Sequence, residues 1–390
     1  MKIKDISVFC SWLIDGLSDK IQENVLLTFK NGFISKIESV KKEDLSIDSV
    51  FDFSNCTILP GFIDSHVHLF MSGDHVLENR KVEQNNDYNK TKEIIDNNVR
   101  KHIKRGIVAV RDAGDNRGYT LNYKPQIPFY LNKCGKALYK EGRYGNFIGT
   151  PVSYYDLISE LILRERNKIN HIKIINSGIN SLTEFGKETK PQFNEQELSE
   201  AVFTAKSIGA KVMVHANGRM PVEISIKSGC HSIEHGYFMG IDNLKKMADF
   251  NIFWVPTVYP IKAYLEKGKL SKLESDNAAR ILEHQLEQIF QAKRLGVKIA
   301  LGTDSGSFGV LHGDSFICEL KLLLNAGFSV VEAVKSATIN ASILLGLDEI
   351  GSIAKGKQAT FIAVKGHPSH SIESLQNIEA LYIRGCLHDQ

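Results

Sequence analysis

The sequence predicts an α/β chain: a (β/α)8 TIM-type barrel over residues 60–346, with a small β-sandwich domain formed by both chain ends, 1–59 and 347–390. Three observations predict it. Between Gly61 and Leu347, apolar runs of strand length alternate with helical segments, which implies a parallel sheet. Eight such runs can be counted, the number a closed barrel needs. Before Pro60 and after Leu347 the chain reads as short strands.

Taken in order, Lys2 to Leu13 is the first strand candidate. Val25 to Ile37 contains two β-rich runs joined at Asn31-Gly32, a strong hairpin signal because both residues tolerate the positive φ of a tight turn. Ser54 to Leu59 leads into the first barrel strand, which ends in Ser65-His66-Val67-His68. A helical segment, Tyr88 to Lys104, precedes the run Gly106 to Asp112. Gly135 to Tyr139 is the third, weaker run; a helix around Asp156 to Arg166 then leads to His171 to Asn176. The segment Asn194 to Ile208 has helical period, and Asn194 with Glu197 reads as a capping box. The runs Lys211 to His215, His231 to His235, Ile252 to Thr257 and Val297 to Asp304 complete the eight. Strands return at Gly351 to Ile353, Ala359 to Val364 and Ile378 to Arg384. A doubly wound sheet is the competing arrangement. It often carries a Gly-rich phosphate turn after its first strand, where this chain has two histidines instead.

Composition excludes several function classes. A chain of 390 residues with 43% hydrophobic content supports one large core with a smaller satellite. Net charge is +3 with the two signs interspersed, which points away from nucleic acid and acidic membranes. The six cysteines, Cys10, Cys56, Cys134, Cys230, Cys318 and Cys386, form no CxxC pair, which argues against a thiolate metal site or a disulfide framework. Reduced thiols in a cytoplasmic protein are the expectation. The apolar run from Val8 to Ile14 is short and broken by Ser11, so neither a signal peptide nor a membrane span is expected.

The candidate chemistry lies at the strand ends. Residues i and i+2 of a strand point to one side, so His66 and His68 can offer two imidazoles to one point, as a metal site requires. In barrel enzymes the working residues sit at the C-terminal ends of strands. Lys173 lies in the fourth strand; His215 ends the fifth, His235 the sixth and Asp304 the eighth. Lys173 also fits a surface lysine on an edge strand, and Asp304 also fits a helix N-cap. Pointing inward from Ile172-Lys173-Ile174, however, the amine is desolvated and its pKa falls. A neutral amine can take up carbon dioxide as a carbamate, a carboxylate on a long arm able to bridge two metals.

These motifs resemble the amidohydrolase superfamily of metal-dependent hydrolases. The resemblance rests on Pro60 to His68, Ile172-Lys173-Ile174, Val214-His215-Ala216, Ile233-Glu234-His235-Gly236 and Gly302-Thr303-Asp304, with Ala337 to Asn340, Leu345 to Leu347 and Gly351 to Lys357 matching the return to a β-sandwich. Arg111 to Gly114 and Val255-Pro256-Thr257 resemble its imidazolonepropionase-like and prolidase-like branch. The resemblance implies two divalent metals, usually zinc. His66, His68 and Asp304 would hold one, His215 and His235 the other, and carboxylated Lys173 would bridge them together with a hydroxide. It implies hydrolysis of an amide bond in a cyclic amide or dipeptide-like substrate, with Asp304 as general base and acid and His235 as the second catalytic residue. The chain departs from the pattern at Ile179, where a second glycine often follows Ser177-Gly178, and at Ala359-Thr360, where Ala-Asp is usual.

Substrate contacts are expected from Arg111, Arg143, Tyr144 and Asn217, with Arg117 a further carboxylate-binding candidate; each arginine also fits an ordinary surface position. Gly142, Gly145 and Gly149 suggest that the segment around Tyr144 acts as a lid. Two alternatives remain. A mononuclear heterocycle deaminase would lack the bridging lysine and carry a Glu soon after the strand-five histidine; Ala216-Asn217-Gly218 follows here. A catalytically silent scaffold would have lost metal residues, and every position is filled. The expected partner is a small-molecule substrate, not nucleic acid or membrane, and a homo-oligomer is left open.

Overall fold

The computed structural model describes residues 5–45, 50–153, 156, 158–368 and 372–388. The two chain ends build one seven-stranded sheet, β16-β15-β14-β4-β1-β2-β3. Its strands are β1 (Ile6–Leu13), β2 (Gln22–Lys30), β3 (Phe33–Ser39), β4 (Val50–Pro60), β14 (Phe361–Lys365), β15 (Ile378–Ile383) and β16 (Cys386–His388). The first expected strand thus begins at Ile6, and its earliest residues lie outside the described ones. The Asn31-Gly32 turn is present, with φ of 54° and 82°. Val8, Val25, Leu27, Phe29, Phe361 and Tyr382 bury one face of the sheet. Phe29 packs edge-on against Phe361 and Tyr382, at 5.8 and 5.6 Å between centroids, so β2 and the β14–β15 hairpin face each other across this small core.

Between these ends lie two parallel sheets. One orders β5 (Phe62–Val67), β6 (Ile107–Asp112) and β7 (Tyr130–Asn132). The other orders β13 (Phe253–Val255), β12 (Ser232–His235), β11 (Lys211–Ala216), β10 (His171–Ile175), β8 (Ala137–Lys140) and β9 (Gly149–Val152). β7 and β9 were not expected. β7 pairs with β6, while β8, which overlaps the expected run Gly135 to Tyr139, pairs with β10. Lys133, between them, accepts from the Asn170 N–H at 2.8 Å.

The eighth run departs most from expectation. It forms isolated bridges, Trp254 to Ile299 and Val67 to Ser305, and no regular strand. Its hydrogen bonds nevertheless go both ways. Lys298 O accepts from Trp254 N on one side, at 2.9 Å; Leu301 O accepts from Ser65 N, and Asp304 N donates to His66 O, on the other, at 2.9 and 2.8 Å. Two local features break the ladder. A Cβ on Gly302 would meet Val255 Cγ1 at 2.5 Å and His66 Cβ at 2.8 Å, and Asp304 takes a left-handed conformation with φ 58°.

Helices on the outside follow their caps. Asp87 caps Tyr88–Lys104 by accepting from Lys90 N, and Asn194 with Glu197 closes the expected capping box before Glu195–Ser207. The fourth-strand helix is Ile158–Arg164. No described helix is long and apolar enough to cross a membrane.

Candidate active site

Strand register places the site. Ile175 of β10 pairs with His215 of β11, and Lys173 with Met213, so Lys173 and His215 share one side of the pleat, Lys173 one step deeper. His235 pairs with Ala216, which by strict alternation would send it to the opposite side from His215. A left-handed backbone at His235, φ 66°, breaks the alternation, and the two imidazoles lie 4.6 Å apart between centroids. Thr257, after β13, has φ 44°. Non-glycine residues in this region cost about 1–3 kcal/mol each and cluster where side chains must be aimed. His66, His68, Lys173, His215, His235 and Asp304 all line one cavity of about 330 Å3.

The donors converge on one another. His66 Nε2 and His68 Nε2 lie 3.5 and 3.4 Å from Asp304 Oδ1. One ligand atom from each of these three residues falls within 4.8 Å of the others. His66 Nε2 and Asp304 Oδ1 are buried with no hydrogen-bond partner among the described residues, which is costly unless something binds there. Each imidazole also has its other nitrogen tied down. His66 Nδ1 meets Glu234 Oε2 at 2.7 Å, and His68 Nδ1 donates to Gly114 O at 2.9 Å. His215 Nε2 donates to Gly178 O at 3.1 Å, and His235 Nδ1 bonds Thr257 Oγ1 at 2.6 Å. This leaves one ring nitrogen per histidine for a metal and fixes the tautomer that presents it. The donor set therefore fits a divalent cation.

Burial sets the electrostatics. Desolvation holds His66 and His235 well below the usual imidazole range and brings His68 and His215 down to about 3, so all four are neutral, as metal ligation requires. Desolvation also lowers Lys173 to about 8 and raises Asp304 to about 7. Lys173 is 1% exposed, which settles against a surface lysine on an edge strand.

Of the expected substrate residues, Tyr144 and Asn217 line the cavity; Tyr144 lies 5.5 Å from the His215 ring. Arg111 does not. It is buried outside the cavity lining, donating to Glu234 Oε1 at 2.8 Å, Ser65 O at 2.7 Å and Ser232 Oγ at 2.9 Å. It was misread because an arginine closing a strand looks the same whether it faces ligand or an internal carboxylate. Arg143 is exposed and donates to Lys190 O at 2.8 Å, outside the cavity. Arg117 is exposed and borders a separate cavity beside Arg164 and Lys168. Sequence reasoning missed Glu234, Thr257, Tyr237 and Arg80. A glutamate inside an apolar strand, as in Ile233-Glu234-His235, was the readable sign that Glu234 is buried and paired.

The amidohydrolase family profile matches residues 57–386. An ochratoxinase from Aspergillus niger is 28% identical over 195 residues, 49% of this chain and 40% of that protein, so the chain matches less than half the length of that relative. An imidazolonepropionase from Clostridium tetani is 24% identical over 89% of this chain and 85% of its own length. Among solved structures, a Xaa-Pro dipeptidase with methionine bound in its active site superposes with TM-score 0.83 at 26% identity, covering 99% of this chain and 100% of that one. With the match extending over most of the sequence, the chain belongs to the amidohydrolase family.

Proposed function

We propose that the chain is a metal-dependent hydrolase that cleaves the C–N bond of a cyclic amide or a dipeptide-like substrate. The observation that carries this reading is the convergence of six donors on one cavity, five of them buried and His235 half-buried, with His66 Nε2 and Asp304 Oδ1 unpartnered. The scaffold is read as a (β/α)8 barrel over 60–346, supported by the hydrogen bonds of 298–305 to both β13 and β5. The flanking sheet is read as a composite β-sandwich domain from 1–59 and 347–390, supported by the packing of Phe29 against Tyr382.

His66, His68 and Asp304 would hold one divalent cation, His215 and His235 a second, with carboxylated Lys173 shared between them; zinc suits nitrogen and oxygen donors of this kind. Bound metal supplies Lewis-acid polarisation of the carbonyl and a lowered pKa for the attacking water. Lys173 is prepared for carboxylation by its burial. With a pKa of about 8, about one amine in ten is neutral at pH 7, against about one in three thousand at 10.5. Asp304 takes the proton from the attacking water, whose oxygen joins the acyl carbon, and delivers it to the nitrogen as the C–N bond breaks. His235 faces the same space, with Nδ1 held by Thr257 and its other ring nitrogen free for the second cation. Tyr144 and Asn217 line the remaining wall and contact substrate.

The test is metal analysis after zinc supplementation, followed by a screen of cyclic amides and dipeptides. Two equivalents per chain and hydrolysis of an amide are expected. One equivalent, with Lys173 unmodified, revives the mononuclear deaminase; none, with no turnover, leaves the silent scaffold.

A further inference from the structure

His235 is aimed by a neighbour that is itself strained. Its Nδ1 meets the Thr257 hydroxyl at 2.6 Å, and Thr257 is a buried, β-branched residue at φ 44°. A β-branched side chain keeps a left-handed backbone only where its surroundings over-determine it. On one side the Thr257 carbonyl accepts from the Tyr237 hydroxyl at 3.2 Å. On the other side the chain is held by a distant element.

That element is the helix Asp314–Asn325, and the group is Glu319. Its side chain is fully buried; Oε1 accepts from Val258 N at 2.8 Å and Oε2 from Tyr259 N at 2.7 Å. These are the N-cap and the first residue of the helix Tyr259–Lys267, whose N-cap offers no side-chain bond of its own. Both amides follow Thr257 directly, so the carboxylate grips the chain one peptide beyond the strained residue. Burial is costly to this group and raises its pKa to about 8. A Ser, Thr, Asp or Asn at position 258 would cap the helix locally without that cost. Taking the cap from Glu319, 61 positions along the chain, fixes the place of the turn as well as its amides.

The main chain of His235 has little freedom to compensate. Its carbonyl accepts from Trp254 Nε1 at 3.0 Å and from Gln285 Nε2 at 2.6 Å. With the backbone pinned, the ring is set by Thr257. His66 and His68 take their orienting bonds elsewhere, from Glu234 and from Gly114 O.

Resting on the two-metal reading above, we propose that Glu319 is a positioning residue for the second cation: through the Val258 and Tyr259 amides it holds Thr257 in the conformation that turns His235 toward that cation. Glu319 touches neither metal nor substrate in this arrangement.

The experiment is a double-variant cycle read by cation binding and by nitrogen NMR. Competition with a fluorescent chelator gives separate affinities for the first and second zinc in wild type, Glu319→Gln, Thr257→Val and the double variant. Each single change is expected to weaken the second zinc about ten- to a hundredfold and to leave the first unchanged. The double variant is expected to be no weaker than the worse single one, because both act through one bond. Equal weakening of both cations, losses that multiply in the double variant, or an unaltered second affinity in Glu319→Gln overturns the proposal. The second arm uses metal-stripped protein labelled at the histidine nitrogens, with His235 assigned by its loss in His235→Gln. The ring is expected to carry its proton on Nδ1 in wild type and to lose that preference in Glu319→Gln; an unchanged tautomer counts against Glu319. A wild type that binds one zinc or none sinks the two-metal reading, and this metal-free arm then decides the positioning role alone. Should Glu319→Gln fail to fold, Glu319→Asp, which keeps the charge and withdraws it by one methylene, takes its place in both arms.

Discussion

Replacing Lys173 with methionine in metal-stripped protein should make the chain more stable. The ammonium is fully buried, and desolvation lowers its pKa from 10.5 to about 8. A shift of about 2.5 units corresponds to about 3 kcal/mol of destabilisation by the charged form. The sign follows from proton counting. Between pH 8 and 10.5 the unfolded chain holds a proton that the folded chain has lost, so stability rises with pH across that window. Below pH 8 both states are protonated and the full penalty is present. Lys173→Met removes the group while keeping an unbranched apolar chain of similar length. Urea unfolding in the presence of chelator should therefore find the variant more stable than wild type by about 3 kcal/mol at pH 7, with the gap largely closed by pH 10.5. With zinc added, the order should reverse, because wild type alone can form the carbamate that joins the ligands. Equal stability at pH 7, or a gap that does not change with pH, would refute the claim that Lys173 is a strained buried amine.

Four further outcomes are expected. Asp304→Asn should retain zinc by elemental analysis yet lose turnover by about a hundred- to ten-thousandfold, the usual value of a positioned proton carrier; near-normal turnover would remove Asp304 from the mechanism. Glu234→Gln should weaken zinc affinity by about ten- to a hundredfold in competition with a fluorescent chelator, because His66 loses the carboxylate that fixes its tautomer. Lys173→Ala should lose the second metal equivalent and regain part of it with added acetate or propionate, whereas Lys173→Arg should not; full metal loading of Lys173→Ala without additive would exclude the bridging role. Gly302→Ala should destabilise by about 1–3 kcal/mol and lower activity, since its Cβ would fall 2.8 Å from the His66 Cβ; a thermal melt and kinetics matching wild type would contradict that packing.

Local rules carried the sequence reading a long way. Two-residue alternation put His66 and His68 on one side of a strand, and capping chemistry placed Asn194 at the head of its helix. The Asn31-Gly32 turn and the apolar runs located most strands, because burial and turn geometry are written within a few neighbouring residues. Those rules failed where the backbone left them. His235 and Asp304 reach the cavity through left-handed conformations that no period predicts, and the eighth run gives up its ladder to bring Gly302 against His66.

What the sequence determined alone is the kind of chemistry available: four histidines, a lysine and an aspartate at the ends of apolar strands. The tertiary structure decided which side chains share a space. Arg111 and Arg80 are the same residue in a sequence, and each lies near a strand or helix end. Only packing gives Arg111 an internal carboxylate, Glu234, from 123 positions away, and holds Arg80 at the cavity wall through two carbonyl oxygens. Desolvation is a property of the surroundings, and the surroundings of a buried strand are supplied by residues far along the chain.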